Sequence, residues 1–340
     1  MPELADRLAR FLEDRRQVPA DTAALGACLD ELIAAGLDQL PLPGSGRTLQ
    51  RWQALAQVAA YDLSLCKLYE GHTDALAILQ ECGAERPAAT CSLGTWAAEP
   101  AQARVHINAR DSRQDVRLDG RKAWCSGAAV LSHALLTGWD EEGKQQLVTV
   151  ALDQPGVNVT DAGWKAVGMA ATQSVEVLFE QARGHCVGQA DGYLQRPGFW
   201  QGGAGIAACW YGAAQGIAEA LRSHCARHDD AHALAHLGAV DAALYAAAAS
   251  LRSCAAWIDA NPTATAELPV RRVRAICEHT ADSVLRHTGR ALGAAPYCRE
   301  EHLARRLADL PVYLRQSHAE RDLGEQGRQA ANEPAGSWVL

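Results

Sequence analysis

Residues 116–136, VRLDGRKAWCSGAAVLSHALL, decide the fold, because a strand-like run ends at Trp124-Cys125-Ser126 and periodicity then stops. Asp119-Gly120 has the chemistry of a tight hairpin turn, so Ala123 and Cys125 are expected on one face of the outgoing strand. Trp124 and Ser126 then share the other. A large aromatic plane beside a hydroxyl has two readings: Trp124 is core and Ser126 opens a loop, or the indole stacks on a flat cofactor while the hydroxyl hydrogen-bonds to it.

Outward from this stretch the texture changes twice. Residues 104–110, 115–125, 133–139, 146–152 and 174–180 are short, rich in β-branched residues and separated by Gly-containing turns, which predicts an antiparallel β unit. Before it, apolar residues recur at helical spacing in LADRLARFLEDRR (4–16), ALGACLDELIAAGL (24–37) and TLQRWQALAQVAAYDLSLCKLYEGHTDALAIL (48–79), with LPLPGSGR (40–47) as a break. After it, four long segments at 205–228, 233–260, 270–292 and 299–323 predict a helical bundle, with NPTATAELP (261–269) as a loop. The expected fold is α+β, mainly α. Its domains are an N-terminal helical domain (1–87), a middle β domain (88–190), a C-terminal four-helix bundle (191–330) and a tail (331–340).

The 340 residues are 48% hydrophobic and 21% charged, enough for a sizeable core. The 32 basic and 40 acidic residues leave a charge of −8, and no basic stripe is present, so nucleic acid is excluded as a partner. No apolar run approaches the roughly 18 residues of a membrane span, and the charged start is unlike a signal peptide; a cytoplasmic protein without a membrane partner is expected. Eleven scattered cysteines with no CxxC pair read as buried free thiols.

Several motifs carry no chemistry. Gly203, Gly205 and Ala208 have GxGxxA spacing but no preceding strand, so a dinucleotide loop is rejected. His224, His228, His232 and His236 recur every fourth residue, but Arg227, Asp229 and Asp230 mark a solvated helix end, and no metal site is assigned. Serine-hydrolase elbows and P-loops do not occur. Glu70, His72 and Asp74 are different: three polar groups in an otherwise apolar helix either line a substrate cavity or mark a helix interruption at Gly71 with the acids solvated.

The stretch Gly120-Arg-Lys122-Ala-Trp124-Cys-Ser126-Gly127 resembles the Gly-x-Lys-x-Trp-Ile-Thr-Asn of the acyl-CoA dehydrogenase superfamily of flavoproteins. GWKAVGMAATQSVEVLFEQARG (163–184) is similar to that family's last middle-domain strands. RALGAAPYCREEHLARRLADLPVYLRQSHAERDL (290–323) is similar to its Leu-Gly-Gly-x-Gly-Tyr loop and final active-site helix. The resemblance covers nearly the whole chain and implies an N-terminal helical domain, a middle antiparallel β-barrel and a C-terminal four-helix bundle.

It further implies FAD, held by Trp124 and Ser126, by Trp96 and Ala98 of TWAAEP, and by Gly293. The implied reaction removes an α-proton and passes a β-hydride to the flavin on an acyl thioester carried by CoA or a carrier, with an electron acceptor and a homodimer or homotetramer. Glu99-Pro100 stand at the family's Glu-Pro, but its Gly-Ala-Gly-Ser-Asp is replaced by AQARVHI, and its adenosine-holding elements have no counterpart. The family's glutamate base aligns near LRQSHAE, where Ser317, His318 and Glu320 stand. His318 is the expected base, with Glu320, Glu70 and His72 as further candidates. A histidine here also resembles flavin monooxygenases built on the same fold. A cofactor-free scaffold or carrier-binding subunit is the third alternative.

Overall fold

The computed structural model describes residues 4–15, 18–110, 112 and 114–339. Among the described residues four helices come first: α1 (Leu4–Glu13), α2 (Thr22–Ala34), α3 (Thr48–Tyr61) and α4 (Leu63–Glu81). The long helical stretch at 48–79 is two helices, because Asp62 is extended and its carboxylate accepts from Leu65 N at 2.7 Å, capping α4. Asp21 caps α2 in the same way through Ala24 N. Arg16, the last residue of the first helical stretch, lies outside the described residues.

Seven strands follow among the described residues: β1 (Leu93–Trp96), β2 (Val105–Arg110), β3 (Asp115–Cys125), β4 (His133–Trp139), β5 (Gln145–Ala151), β6 (Val157–Val159) and β7 (Val175–Val187). They form one sheet, ordered β1-β4-β2-β3-β7-β5, with β4 also paired to β5 and β6 to β7. The expected all-antiparallel barrel is corrected in part. β1 runs parallel to β4 over four residue pairs, and β2 meets β4 in parallel at His106 and Trp139.

Asp119-Gly120 is not a hairpin turn. β3 runs straight through it, and the chain reverses between Arg110 and Asp115. Gly120 instead marks a bulge where pairing to β7 slips, and a Cβ there would stand 2.3 Å from the Arg104 carbonyl oxygen. Only glycine allows that approach.

The C-terminal part contains α5 (Gly192–Gln195), α6 (Pro197–Cys225), α7 (Ala231–Ala260), α8 (Glu267–Leu292), α9 (Ala295–Cys298), α10 (Glu301–Leu314) and α11 (Glu320–Ala331). α6, α7, α8 and α10 pack together, and α3 lies along α6. The last predicted helical segment is broken at 315–319, so α10 and α11 are separate. The rejected Gly203-x-Gly205 spacing lies inside α6, as part of a continuous helix.

α7 corrects one expectation. Among the described residues it is the one helix long and apolar enough to cross a membrane by length and composition. Its many alanines are joined by Leu234, Leu237, Val240, Leu244, Leu251 and Ile258, and Asp241 and Arg252 interrupt the run. No disulfide joins cysteines among the described residues, and eight of the eleven cysteines are buried. His236 and His287 meet through their Nδ1 atoms at 2.8 Å, and no cluster of metal-ligating side chains occurs among the described residues.

The main core runs from Leu8 through Trp52, Phe179 and Trp210 to Leu314. A smaller cluster joins Ala75, Ile78 and Leu79 of α4 to Leu93, Leu135 and Val187 of the sheet. With α4 held against the sheet on this side, Lys67, Glu70 and Asp74 are left on the side that faces α6.

Candidate functional site

A cavity of about 1220 Å³ lies between the sheet, α4, α6, α8 and the junction of α10 with α11. Its sheet wall carries Trp124, Ser126, Trp164, Thr172 and Ser174. Trp124 is 53% exposed, and its backbone is left-handed with φ of 57°. The core reading of this indole is therefore excluded: Cys125 turns inward, Trp124 turns to the cavity, and a bulge between Lys122 and Cys125 makes the switch. Met169 and Ala319, with φ of 58° and 45°, also line the cavity. Strained backbone of this kind gathers where surrounding structure holds a working geometry.

The Ser126 hydroxyl lies 2.7 Å from that of Ser174, which lies 2.9 Å from that of Thr172. Trp96 is buried behind them, its indole N–H donating to the Ser126 carbonyl at 3.3 Å. Ala98 lies on the rim without a side-chain hydroxyl. Glu99 is occupied: its carboxylate accepts from Lys122 Nζ, the Thr137 hydroxyl and the Trp139 indole N–H. This contact explains why a lysine stands two residues before Trp124, a pairing sequence reasoning missed. Burial pulls the Lys122 ammonium pKa down, and Glu99 counters it.

On the floor, Glu70 accepts from Lys67 Nζ at 2.9 Å, and burial pushes its carboxyl pKa up while Lys67 opposes the shift. α4 is continuous through Gly71, so the helix-interruption reading fails. Glu70 and Asp74 line the cavity. His72 does not. It is fully buried on another face of α4, with Nδ1 accepting from Leu93 N and Nε2 3.1 Å from Asp38 Oδ2. Burial lowers its pKa, against the pull of Asp38. His72 thus pins α4 to β1 and cannot reach a ligand in the cavity.

At the α10–α11 junction the candidates also separate. Ser317 is buried and lines the cavity, its hydroxyl accepting from Ala319 N at 3.0 Å. The His318 side chain is 67% exposed at the rim, with Nδ1 3.8 Å from Asp322. Glu320 is exposed and off the cavity wall. Gly293 ends α8 with φ of 66° and is likewise outside the lining.

Two lining residues had no sequence signal beyond their place in amphipathic helices. Tyr313 is 2% exposed, with its hydroxyl buried beside Cys209. Arg274 donates to the Gly203 carbonyl at 2.8 Å and stacks over Trp210, and burial lowers its pKa. The exposed indole and the adjacent hydroxyls suit a flat, hydrogen-bonding heteroaromatic ring, so the residues present fit a flavin.

The sequence matches no protein-family model and no curated protein. Solved structures do match over nearly the whole length. KijD3, in complex with FMN and a dTDP-linked amino-keto sugar, superposes with a TM-score of 0.81 at 21% identity, covering 96% of this chain and 92% of that one. The nitrososynthase of Micromonospora carbonacea var. africana gives 0.81 at 18% identity, covering 97% and 96%. The dibenzothiophene monooxygenase TdsC of Paenibacillus sp. A11-2 gives 0.80 at 18% identity with the same coverage, and TdsC has also been solved with FMN and indole. Like these neighbours, the chain has the acyl-CoA dehydrogenase fold, at a divergent sequence.

Proposed function

We propose that this protein is a flavin-dependent monooxygenase acting on a small organic molecule in the cavity, with FMN as its flavin. The observation that carries the reading is at 317–318. Where dehydrogenation of a thioester requires a base, the buried side chain on the cavity wall is the Ser317 hydroxyl, while His318 stands at the cavity rim, two-thirds exposed. A hydroxyl with an ordinary pKa does not take an α-proton at neutral pH; it can hold a hydrogen bond. The monooxygenases among the structural neighbours support the same choice. FMN rather than FAD agrees with the missing adenosine-holding elements and with the FMN bound in KijD3 and TdsC.

When bound, reduced flavin supplies two electrons to dioxygen, one atom of which goes to the substrate and the other to water. The chain's own part is to bind, orient and keep water out. Trp124 offers a stacking plane and Ser126, backed by Ser174 and Thr172, a hydroxyl at the ring edge. Trp96, Trp164, Phe199 and Trp200 give the cavity apolar walls. Assembly into at least a dimer belongs to this proposal.

One observation keeps the dehydrogenase reading as a second choice: Glu70 is a cavity carboxyl whose pKa burial raises. Two mixing experiments separate the readings. Protein loaded with chemically reduced FMN is expected to consume oxygen. Oxidised flavoprotein mixed anaerobically with short acyl-CoA thioesters is expected to keep its yellow colour; bleaching would establish the dehydrogenase and overturn the proposal. Failure to bind any flavin would overturn both.

A further inference from the structure

Three hydroxyls on the sheet wall form a chain that ends on a backbone carbonyl. Thr172 Oγ1 lies 2.8 Å from the Met169 carbonyl oxygen, Ser174 Oγ lies 2.9 Å from Thr172 Oγ1, and Ser126 Oγ lies 2.7 Å from Ser174 Oγ. Two oxygens this close repel unless a proton lies between them, and each hydroxyl has one proton to give. The direction of the whole chain follows from its end. A carbonyl has no proton, so Thr172 donates to Met169. With its proton spent, Thr172 accepts from Ser174, and Ser174, with its own spent, accepts from Ser126.

The carbonyl that sets this order is fixed in place. It also accepts from the Trp164 indole N–H at 3.2 Å and from Thr172 N at 3.1 Å, while Met169 N donates to Asp309 of α10. Met169 is left-handed, with φ of 58°, a conformation that costs about 1–3 kcal/mol and persists only where the surroundings impose it. Thr172 and Ser174 are buried, so little solvent competes for their protons, and Ser126 is the partly exposed end of the chain on the cavity wall. Toward a ligand, Ser126 Oγ has lone pairs to offer and no proton.

We propose that Thr172 and Ser174 are positioning residues that fix Ser126 as a hydrogen-bond acceptor toward the flavin, so that the site distinguishes flavin forms by the proton on the ring edge. This rests on the flavin reading given above. Oxidised flavin presents the bare lone pair of N5, which an acceptor repels. Two-electron reduction places a proton on N5, which an acceptor binds. Reduced FMN is therefore the form that this wall selects.

The test is anaerobic titration of full-length protein with oxidised FMN and, separately, with dithionite-reduced FMN, so no turnover is involved. Wild type is expected to bind reduced FMN about tenfold or more tightly, the difference between a neutral hydrogen bond and opposed lone pairs; for two electrons this places the bound midpoint potential about 30 mV above that of free FMN. Ser126→Ala is expected to lower the ratio. Ser174→Ala separates polarity from packing: it frees the Ser126 proton, and oxidised FMN is expected to bind more tightly than it does to wild type. Thr172→Val removes the donor that fixes the order, is expected to lower the ratio in the same way, and serves if Ser174→Ala fails to fold. A wild-type ratio of one or below, or a ratio unchanged in folded Ser174→Ala or Thr172→Val, would overturn the proposal and leave the flavin reading standing. Binding of neither form would overturn both.

Discussion

Lys122, which has no exposed surface, donates from Nζ to Glu99 across 2.5 Å and so ties β3, two residues before Trp124, to the loop that leaves β1. The rest of the ammonium is met by the carbonyl and hydroxyl of Thr137, at 2.9 and 2.7 Å. The strand that carries Trp124 is therefore anchored by an ion pair whose lysine is fully buried.

Breaking that pair from one side leaves a buried charge without its partner. Glu99→Ala is expected to cost about 3–5 kcal/mol in urea unfolding, and the double variant Glu99→Ala with Lys122→Met to recover most of it. A single variant as stable as the wild type would show that water or Thr137 alone satisfies Lys122.

Trp124 is half exposed, so Trp124→Ala is expected to change stability by less than about 1 kcal/mol, against about 3–5 for a core tryptophan. Bound FMN is expected to weaken and its emission to brighten once the stacking indole is gone. Ser126→Ala is expected to shift the flavin's reduction behaviour with little change in melting temperature. A large stability loss with unchanged flavin affinity in Trp124→Ala would return the indole to a packing role.

His318 stands at the rim, and His318→Ala is expected to keep oxygen uptake within about threefold of the wild type. Loss of a general base typically costs on the order of a hundredfold to ten-thousandfold. A drop of that size would place the imidazole in the chemistry.

His302 gives a pH signature. Burial, helped by Arg306, holds its imidazole pKa down to about 4, while the unfolded chain titrates near about 6.5. The folded state keeps the ring neutral, so the stability it contributes is whole above pH about 6.5 and is lost as pH falls toward 4. Asp62 runs the other way: burial raises its carboxyl pKa to about 6 despite Arg305, so its contribution declines as pH rises through that value. Denaturant midpoints of wild type and His302→Gln compared at each pH isolate the histidine. The gap is expected to change between pH 6.5 and 4, the wild type losing more stability on acidification; parallel curves would mean that His302 titrates normally.

At the crossing of α3 and α6, a Cβ on Gly212 would stand 2.1 Å from the Ala56 carbonyl oxygen. Gly212→Ala is expected to destabilise by about 1–3 kcal/mol or more, because two helix backbones must separate. An unchanged melting temperature would mean that the helices slide apart freely.

The order of helices, strands and helices was legible in the sequence because hydrophobic period is a local property: apolar residues spaced for a helix or a strand show their type without knowledge of a partner. The shared outlook of Trp124 and Ser126 was legible for the same reason, even though a bulge rather than simple alternation produces it. Local geometry also placed Glu70 and Asp74 together, four residues apart on one helix, and it set His72 on another face. Other features depended on contacts between distant segments. Glu99 meets Lys122 across 23 residues, Asp309 of α10 accepts from Met169 N across 140, and Tyr313 comes to lie over Lys67 of α4. Which side chains meet across such separations is decided by packing and loop closure, which no local pattern encodes. Sequence periodicity thus determined the elements and their inward faces. Tertiary structure alone decided that Ser317 is buried on the cavity wall while His318 is exposed at its rim, because the break between α10 and α11 turns the chain there.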